Sequence, residues 1–173
     1  DEPVKTATKR ALSVAKEAGC IVSFDPNLRP PLWKSLDDAK AEIEYGLGKC
    51  DILKISDNEV EFLFGTTDYD KGAALLKEKY NIPLILITLG KDGSRAYYKD
   101  MKVEAAPFLQ EKTIETTGAG DTFNGGFATA IVNGKSLADA LHYGNAAAAL
   151  SIQKLGAQSG MPTKDEVDFF LKQ

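Results

Sequence analysis

The sequence predicts an α/β fold built on a mostly parallel sheet, and three observations carry that prediction. Short apolar runs at 20–24, 51–55 and 84–88 are flanked by turn residues and are too brief for helices, so they read as buried strands. Between them lie longer segments whose apolar residues recur at three- and four-residue spacing, the pattern of amphipathic helices. Alternation of this kind calls for crossover connections, which join parallel strands and place helices on both faces of the sheet. With 173 residues the chain suits one compact domain with a real core, spanning 1–173.

Each element follows from a local pattern. Val4, Ala7, Ala11, Val14, Ala15 and Ala18 mark a helix over 4–18, and Gly19 is a natural stop. The strand over 20–24 ends at Asp25-Pro26-Asn27. A helix runs from Ser35 to about Gly46, and a short strand covers 51–55. Asp57 is placed to cap a helix over 58–64, which Gly65 ends. A helix over 70–79 leads to 84–88, the clearest buried strand of the chain. Lys91-Asp92-Gly93 signals a turn into a strand over 94–98, and a further strand around 102–105 completes an antiparallel edge. Helices follow near 121–133, 136–153 and 164–172. No internal repeat, low-complexity segment or linker interrupts this order.

Composition narrows the function classes. The net charge of -4 and the scattered Lys and Arg residues give no nucleic-acid-binding surface. No apolar run reaches the 18 or more residues of a membrane helix, and no signal-peptide pattern is present, so a cytoplasmic protein without a membrane partner is expected. The chain opens on Asp rather than Met and runs from Glu2-Pro3 straight into a helical pattern, as expected of a piece of a longer protein. Cys20 and Cys50 lack metal-ligand spacing and read as buried thiols in a reducing compartment. His142 is the only histidine, which excludes a His-pair metal site; beside Leu137 and Leu141 it reads as structural.

Three polar clusters fall at the carboxyl ends of predicted strands: 25–29, 56–61 and 88–90. Ligands bind at that end of open α/β sheets. Two other segments imitate nucleotide motifs and fail. Gly134-Lys135-Ser136 has Thr129 where a Walker loop needs its first glycine, and Phe123 stands where a dinucleotide fingerprint on Gly118 and Gly120 needs its third.

The strongest signal is Thr116-Thr117-Gly118-Ala119-Gly120-Asp121-Thr122-Phe123-Asn124-Gly125-Gly126. Gly118, Ala119 and Gly120 leave little bulk between backbone and ligand. A helix starting near Asp121 would point its unpaired N–H groups over the loop, which favours an anion. An aspartate in such a pocket repels the phosphate beside it. Its presence makes sense where the acid takes a proton from an attacking hydroxyl, so the stretch reads as a phosphotransfer site.

These residues closely resemble the second signature of the ribokinase-like (PfkB-type) carbohydrate kinases. The resemblance extends in order to Asp25-Pro26-Asn27-Leu28-Arg29, Asn58-x-x-Glu61, Thr88-Leu89-Gly90 and Gly156-Ala157-Gln158, and the segment from Asp25 to Trp33 is most similar to fructokinases. It implies a three-layer, Rossmann-type sandwich, here as the C-terminal nucleotide-binding and catalytic portion. The family's first signature, its first strands and the small β lid have no counterpart in these residues. The implied reaction moves the γ-phosphoryl of ATP to a primary sugar hydroxyl, fructose to fructose 6-phosphate before ribose or 2-keto-3-deoxygluconate.

By the same resemblance, Asp121 is the base and contacts the sugar. The backbone of Gly118, Ala119, Gly120 and Asp121 forms the anion hole. Arg29 meets a phosphate or sugar oxygen, while Asn58 and Glu61 organise Mg2+ and phosphate, mostly through water. Thr88, Gly90 and Gly93 lie along the nucleotide, and Asn145 is the polar residue of the adenine wall. A monovalent cation, potassium, would sit at Glu115, Thr117, Ser151, Gly156 and Gly160; Glu115 departs from the usual Asp. The lid is a common dimer contact in the family, so the whole protein is a candidate homodimer. A nucleotide-binding module without turnover is the alternative from another class, and a plain scaffold domain is the third reading.

Overall fold

The computed structural model describes residues 2–173. Its elements run α1 (Val4–Glu17), β1 (Ser23–Phe24), α2 (Leu36–Leu47), β2 (Ile52–Ser56), α3 (Asp57–Phe64), α4 (Tyr69–Tyr80), β3 (Leu84–Thr88), β4 (Ser94–Tyr98), β5 (Met101–Ala105), α5 (Ala119–Val132), α6 (Leu137–Ser151) and α7 (Lys164–Phe170). The strands form one sheet in the order β1-β2-β3-β4-β5. β1 and β2 are parallel, with Ser23 opposite Ile52 and Phe24 opposite Leu53. α3 and α4 supply the crossover from β2 to β3, as a parallel pair requires, whereas only Lys99 and Asp100 separate β4 from β5, a connection that serves an antiparallel pair. The α/β class and the hairpin edge are as the sequence predicts.

Compactness divides the chain into two units. The first comprises residues up to Ile87 together with Tyr97–Lys99, and the second comprises Thr88–Ala96 with Asp100–Gln173. The first unit has its core on β2 and β3: Leu53, Ile55, Ile85, Leu86 and Ile87 are essentially inaccessible, as are Val60 of α3 and Leu76 of α4. Each such side chain contributes roughly 1.5–3 kcal/mol of burial. Ser56 and Asp68 cap α3 and α4, and Gly65 and Asn81 end them in the left-handed conformation. α1 buries none of its residues. In the second unit Phe123, Phe127 and Ala130 of α5 pack with Leu141, Ala146 and Ala147 of α6 in the core. Gly126 meets Ala147, and Gly144 meets the ring of Phe123, so the two helices approach closely along most of their length.

Several boundaries differ from the sequence expectation, each for a local reason. The first strand is two residues rather than five: Cys20 and Ile21 are exposed, and Val22 N–H donates to the Asp51 side chain while its carbonyl accepts from Asp51 and Ile52 N–H. α3 is capped by Ser56, not Asp57: the Ser56 hydroxyl accepts from Glu59 N–H while the Glu59 carboxylate accepts from Ser56 N–H, a capping box. α5 begins at Ala119, inside the glycine-rich loop, with Gly118 as its cap.

The cysteines differ from each other. Cys50 is buried as expected, and burial pushes its thiol up to about 11; Cys20 is exposed, contrary to expectation. A disulfide-exchange reagent at pH 8 should therefore modify one thiol per native chain quickly, and the second only after unfolding. Mass mapping of the fast adduct to Cys50 would contradict the packing described here.

Candidate active site

The sequence-predicted residues of the first unit lie at the ends of β1 and β2. β1 leads into Asp25-Pro26-Asn27-Leu28-Arg29, and β2 leads into α3, whose second and fifth residues are Asn58 and Glu61. Both are exposed, and their spacing of three places them on one side of the helix. Arg29 is also exposed, with Nη1 donating to the Leu28 carbonyl at 3.1 Å. The loop before it is held from several directions. Asn27 is left-handed at φ 46, and its N–H donates to Asp25 Oδ1 at 3.1 Å. Leu28 N–H donates to Glu59 Oε1 at 2.7 Å. Asp25 Oδ2 lies 3.2 Å from Lys54 Nζ, with side-chain exposures of 16% and 8%.

Lys54 and Glu59 were not singled out by sequence reasoning, though both leave a signal. Lys54 interrupts the apolar run Ile52-Leu53-Lys54-Ile55, where a buried charge needs a partner. Ser56-x-x-Glu59 is itself the capping-box pattern.

The second unit holds the anion loop. Gly118 has φ 82, a conformation that other residues adopt only with strain, and a Cβ there would come 3.2 Å from that of Ala157. This turn sets Ala119, Gly120 and Asp121 as the first three residues of α5. The predicted four-donor hole is narrower than expected, because Ala119 N–H already donates to the Thr116 carbonyl at 3.1 Å. Gly118, Gly120 and Asp121 N–H have no backbone acceptor among the described residues. Asp121 itself is exposed. Thr122 closes the turn from behind, its N–H and hydroxyl both donating to the Gly118 carbonyl at 2.8 Å.

Thr88 ends β3, and Gly90 is exposed at the start of a short 3-10 turn that runs to Asp92. Gly93 is buried instead. At φ 88 a Cβ would collide with the Ala105 carbonyl, so the close approach this glycine permits is to β5 rather than to open surface. Asn145 is likewise committed inside the protein. Its Oδ1 accepts from Ser94 Oγ at 2.8 Å, and its Nδ2 donates to the carbonyls of Ala105 and Ala106 at 3.1 and 3.0 Å. It ties α6 to the start of β4 and the end of β5, which sequence spacing alone could not show. His142 is exposed with its ring 4.7 Å from that of Phe108.

Around Gly160 the backbone gathers oxygen. A Cβ on this residue would lie 2.8 Å from the Gly156 carbonyl, 2.9 Å from that of Ser151 and 3.6 Å from that of Lys154. Ser151 Oγ donates to the Ala148 carbonyl. Glu115 Oε2 accepts from Gly156 N–H at 2.7 Å. That bond first, then one from Thr117, holds the Glu115 carboxyl below the usual range. Carbonyl oxygens of this kind suit a hard cation. No cluster of three or more His, Cys, Asp or Glu side chains fit for a metal occurs among the described residues. Magnesium keeps most of its waters, so the exposed Asn58 and Glu61 pair suits an ion held through water.

The second unit thus sets three N–H groups without backbone acceptors among the described residues at a helix start, with an acid at the third helical position. The model of the pfkB family of carbohydrate kinases matches residues 1–164, and the chain belongs to that family. Fructokinase-2 of Solanum lycopersicum is 39% identical over 178 residues, covering 99% of this chain and 54% of its own length. The fructokinase of Vibrio cholerae O395, solved with fructose, ADP and calcium, superposes with a TM-score of 0.89 at 30% identity, over 99% of this chain and 57% of its own. The aminoimidazole riboside kinase of Salmonella enterica, solved with aminoimidazole riboside and an ATP analogue, gives 0.87 at 27%, over 100% and 59%. The fold is thus ribokinase-like, and the chain spans about half the length of the relatives it matches. Among the described residues, no helix is long and apolar enough to cross a membrane.

Two outcomes test this geometry. Asn145→Ala strands the buried Ser94 hydroxyl and two part-buried carbonyls, and a buried polar group left unpaired costs roughly 1–3 kcal/mol. Urea unfolding should show a loss of at least about 2 kcal/mol, and a variant as stable as the parent would remove the clamp. Glu115 has a folded-state pKa below its unfolded value, so its stabilisation is full above the unfolded value and is lost as pH falls through the folded one. Glu115→Gln should flatten the acid limb of a stability–pH profile below the ordinary Glu value of 4.5; an unchanged slope would contradict the assignment.

Proposed function

We propose that the protein containing this chain is an ATP-dependent sugar kinase, with fructose as the favoured acceptor and fructose 6-phosphate as product. The single observation that carries the reading is the exposed Asp121 at the third position of a helix whose neighbouring N–H groups lack backbone acceptors. The acid accepts the proton of a primary hydroxyl as its oxygen attacks the γ-phosphorus, and the bond from that phosphorus to the β–γ bridging oxygen breaks to release ADP. The backbone of Gly118, Gly120 and Asp121 neutralises charge on the transferring group. In such reactions positioning and charge neutralisation supply most of the catalysis. Arg29 meets a phosphate or sugar oxygen. Asn58 and Glu61 would hold magnesium through water, where it would supply positive charge to offset the phosphates. Thr88 and Gly90 run along the nucleotide. A monovalent cation held by the carbonyls around Gly160 would brace the anion loop from behind. Fructose is preferred over ribose because the similar relative and the superposed Vibrio protein are fructokinases. The Salmonella kinase shows a different acceptor on this fold, so a sugar panel is part of the test.

The chain itself spans about half the length of those relatives. Transfer outruns hydrolysis only where water is excluded from the acceptor. We infer that the 173 residues bind MgATP and transfer slowly. Calorimetry with MgATP, followed by a coupled assay with fructose and other sugars, checks both statements. Asp121→Asn removes a like charge beside the phosphates, so it should bind MgATP at least as tightly as the parent while lowering residual transfer by about 10²–10⁴. An equally active Asp121→Asn variant would remove the base. Turnover of the unmodified chain at the roughly 1–100 s⁻¹ of ordinary kinases would overturn the slow-transfer reading.

A further inference from the structure

We propose that Glu115 is a positioning residue for the anion loop, a strap from the segment before Gly118 to the turn after α6 that holds the loop in place without help from a monovalent cation. The proposal rests on the kinase reading above, in which that loop receives the phosphates of the nucleotide.

Glu115 lies three residues before Gly118, on the segment that feeds the left-handed turn. The backbone of that segment is fixed to the end of α6, where Ile114 and Glu115 N–H donate to the Ile152 carbonyl at 2.8 and 3.3 Å. The side chain then crosses to the next turn. Its Oε2 accepts from Gly156 N–H at 2.7 Å, across 41 positions of sequence. A further side-chain bond joins the carboxylate to Thr117, one residue before the turn itself.

The far end of the strap is set as well. Gly156 is left-handed at φ 93, and its carbonyl accepts from Gly160 N–H at 2.7 Å. The residue after it, Ala157, is the one that Gly118 faces: a Cβ on Gly118 would lie 3.2 Å from the Ala157 Cβ and 3.3 Å from its carbonyl oxygen. The bond to Gly156 therefore fixes the spacing of the two segments beside the very contact that shapes the Gly118 turn.

Side-chain length decides who makes the crossing. A carboxylate one methylene shorter ends about 1.5 Å sooner and leaves Gly156 N–H out of reach. An ion would then be needed between that carboxylate and the turn. Glutamate bridges the gap directly, and it uses an N–H of the turn rather than a carbonyl. The oxygens that converge on Gly160 stay able to take a hard cation. The loop is fastened in either case.

MgATP titration calorimetry on the 173-residue chain tests the strap, at equal ionic strength in potassium chloride and in tetramethylammonium chloride, whose cation is too large for a carbonyl site. The parent should bind equally well in both salts, within twofold. Glu115→Asp should lose about three- to tenfold in tetramethylammonium, the worth of one hydrogen bond, and recover most of it in potassium. Glu115→Gln keeps an acceptor oxygen at the same reach, so its affinity should not respond to potassium. Exchange of the Thr122 amide, which closes the turn onto the Gly118 carbonyl, gives a second readout: its protection should depend on potassium in Glu115→Asp alone. Parent affinity that rises fivefold or more with potassium overturns the strap and leaves the kinase reading standing. A Glu115→Asp loss equal in both salts marks plain destabilisation and overturns it too, as does full affinity of that variant in tetramethylammonium. A potassium response of Glu115→Gln like that of Glu115→Asp removes the hydrogen bond as the cause. No MgATP binding by the parent in either salt overturns the kinase reading instead. Should Glu115→Asp fail to fold, the parent decides: Thr122 protection that rises with potassium contradicts the strap.

Discussion

The second unit depends on one backbone constraint, the left-handed turn at Gly118. It reverses the chain just before α5, so the first turn of the helix presents N–H groups outward instead of feeding them into a preceding segment. A helix end left this way costs stability unless something holds it, and the surrounding bonds are arranged to do so. Ile114 and Glu115 N–H donate to the Ile152 carbonyl at the end of α6, and the Glu115 carboxylate takes Gly156 N–H. Ala157 packs against Gly118, and α5 is braced along its length by α6. The incoming chain, the turn and the helix are thus each fastened to α6 or to the segment that follows it. The glycine-rich loop is small in side chains and rigid in backbone, the combination that preorganised charge stabilisation requires.

In the first unit, carboxylates take over a task that strand pairing leaves undone. β1 is too short to align the segment after it. Asp51 accepts from Val22 N–H at 2.8 Å on one side of β1, and Glu59 accepts from Leu28 N–H on the other. Lys54 and Asp25 add a nearly buried ion pair. Such a pair contributes little net stability against an apolar replacement, yet breaking it costs about 3–5 kcal/mol because a buried charge is left behind. That asymmetry favours a defined loop position over a stable but loose one.

How much of this is legible in the sequence follows from range. Local features are readable: the strand at Leu84–Thr88, the β4–β5 hairpin and the glycine-rich loop all follow from neighbouring residues. The start of α5 is missed by two residues because Ala119 and Gly120 look like loop until the Gly118 turn is seen. Ser56-x-x-Glu59 was readable but overshadowed by Asp57, a good cap standing one position too late. Long-range features are hidden. Nothing near Asn145 announces Ser94, 51 residues earlier, so a buried clamp reads as a ligand-facing amide. Lys54 betrays its burial by sitting among Ile and Leu, but its partner Asp25 cannot be found by spacing. Cys20 looks buried because it opens an apolar run, yet both it and Ile21 are exposed.

Asp121 remains the residue whose presence stability explains least. At the third position of α5 it gains about 0.3–1 kcal/mol from the helix terminus. Against an anion about 4 Å away, a unit charge costs on the order of 4 kcal/mol near a protein surface. The unfavourable figure is several times the favourable one once an anion is bound, so the acid weakens the very site its helix creates. A helix cap alone would be better served by the serines and threonines that start α2, α3, α6 and α7, which carry no charge. In the proposed reaction the balance would reverse as a hydroxyl gives up its proton: the carboxylate would be neutralised while the new oxygen–phosphorus bond forms and the bond to the departing ADP breaks, so the repulsion would be relieved along the reaction rather than before it. An interaction that is poor with the bound anion and better in the transition state raises rate rather than affinity.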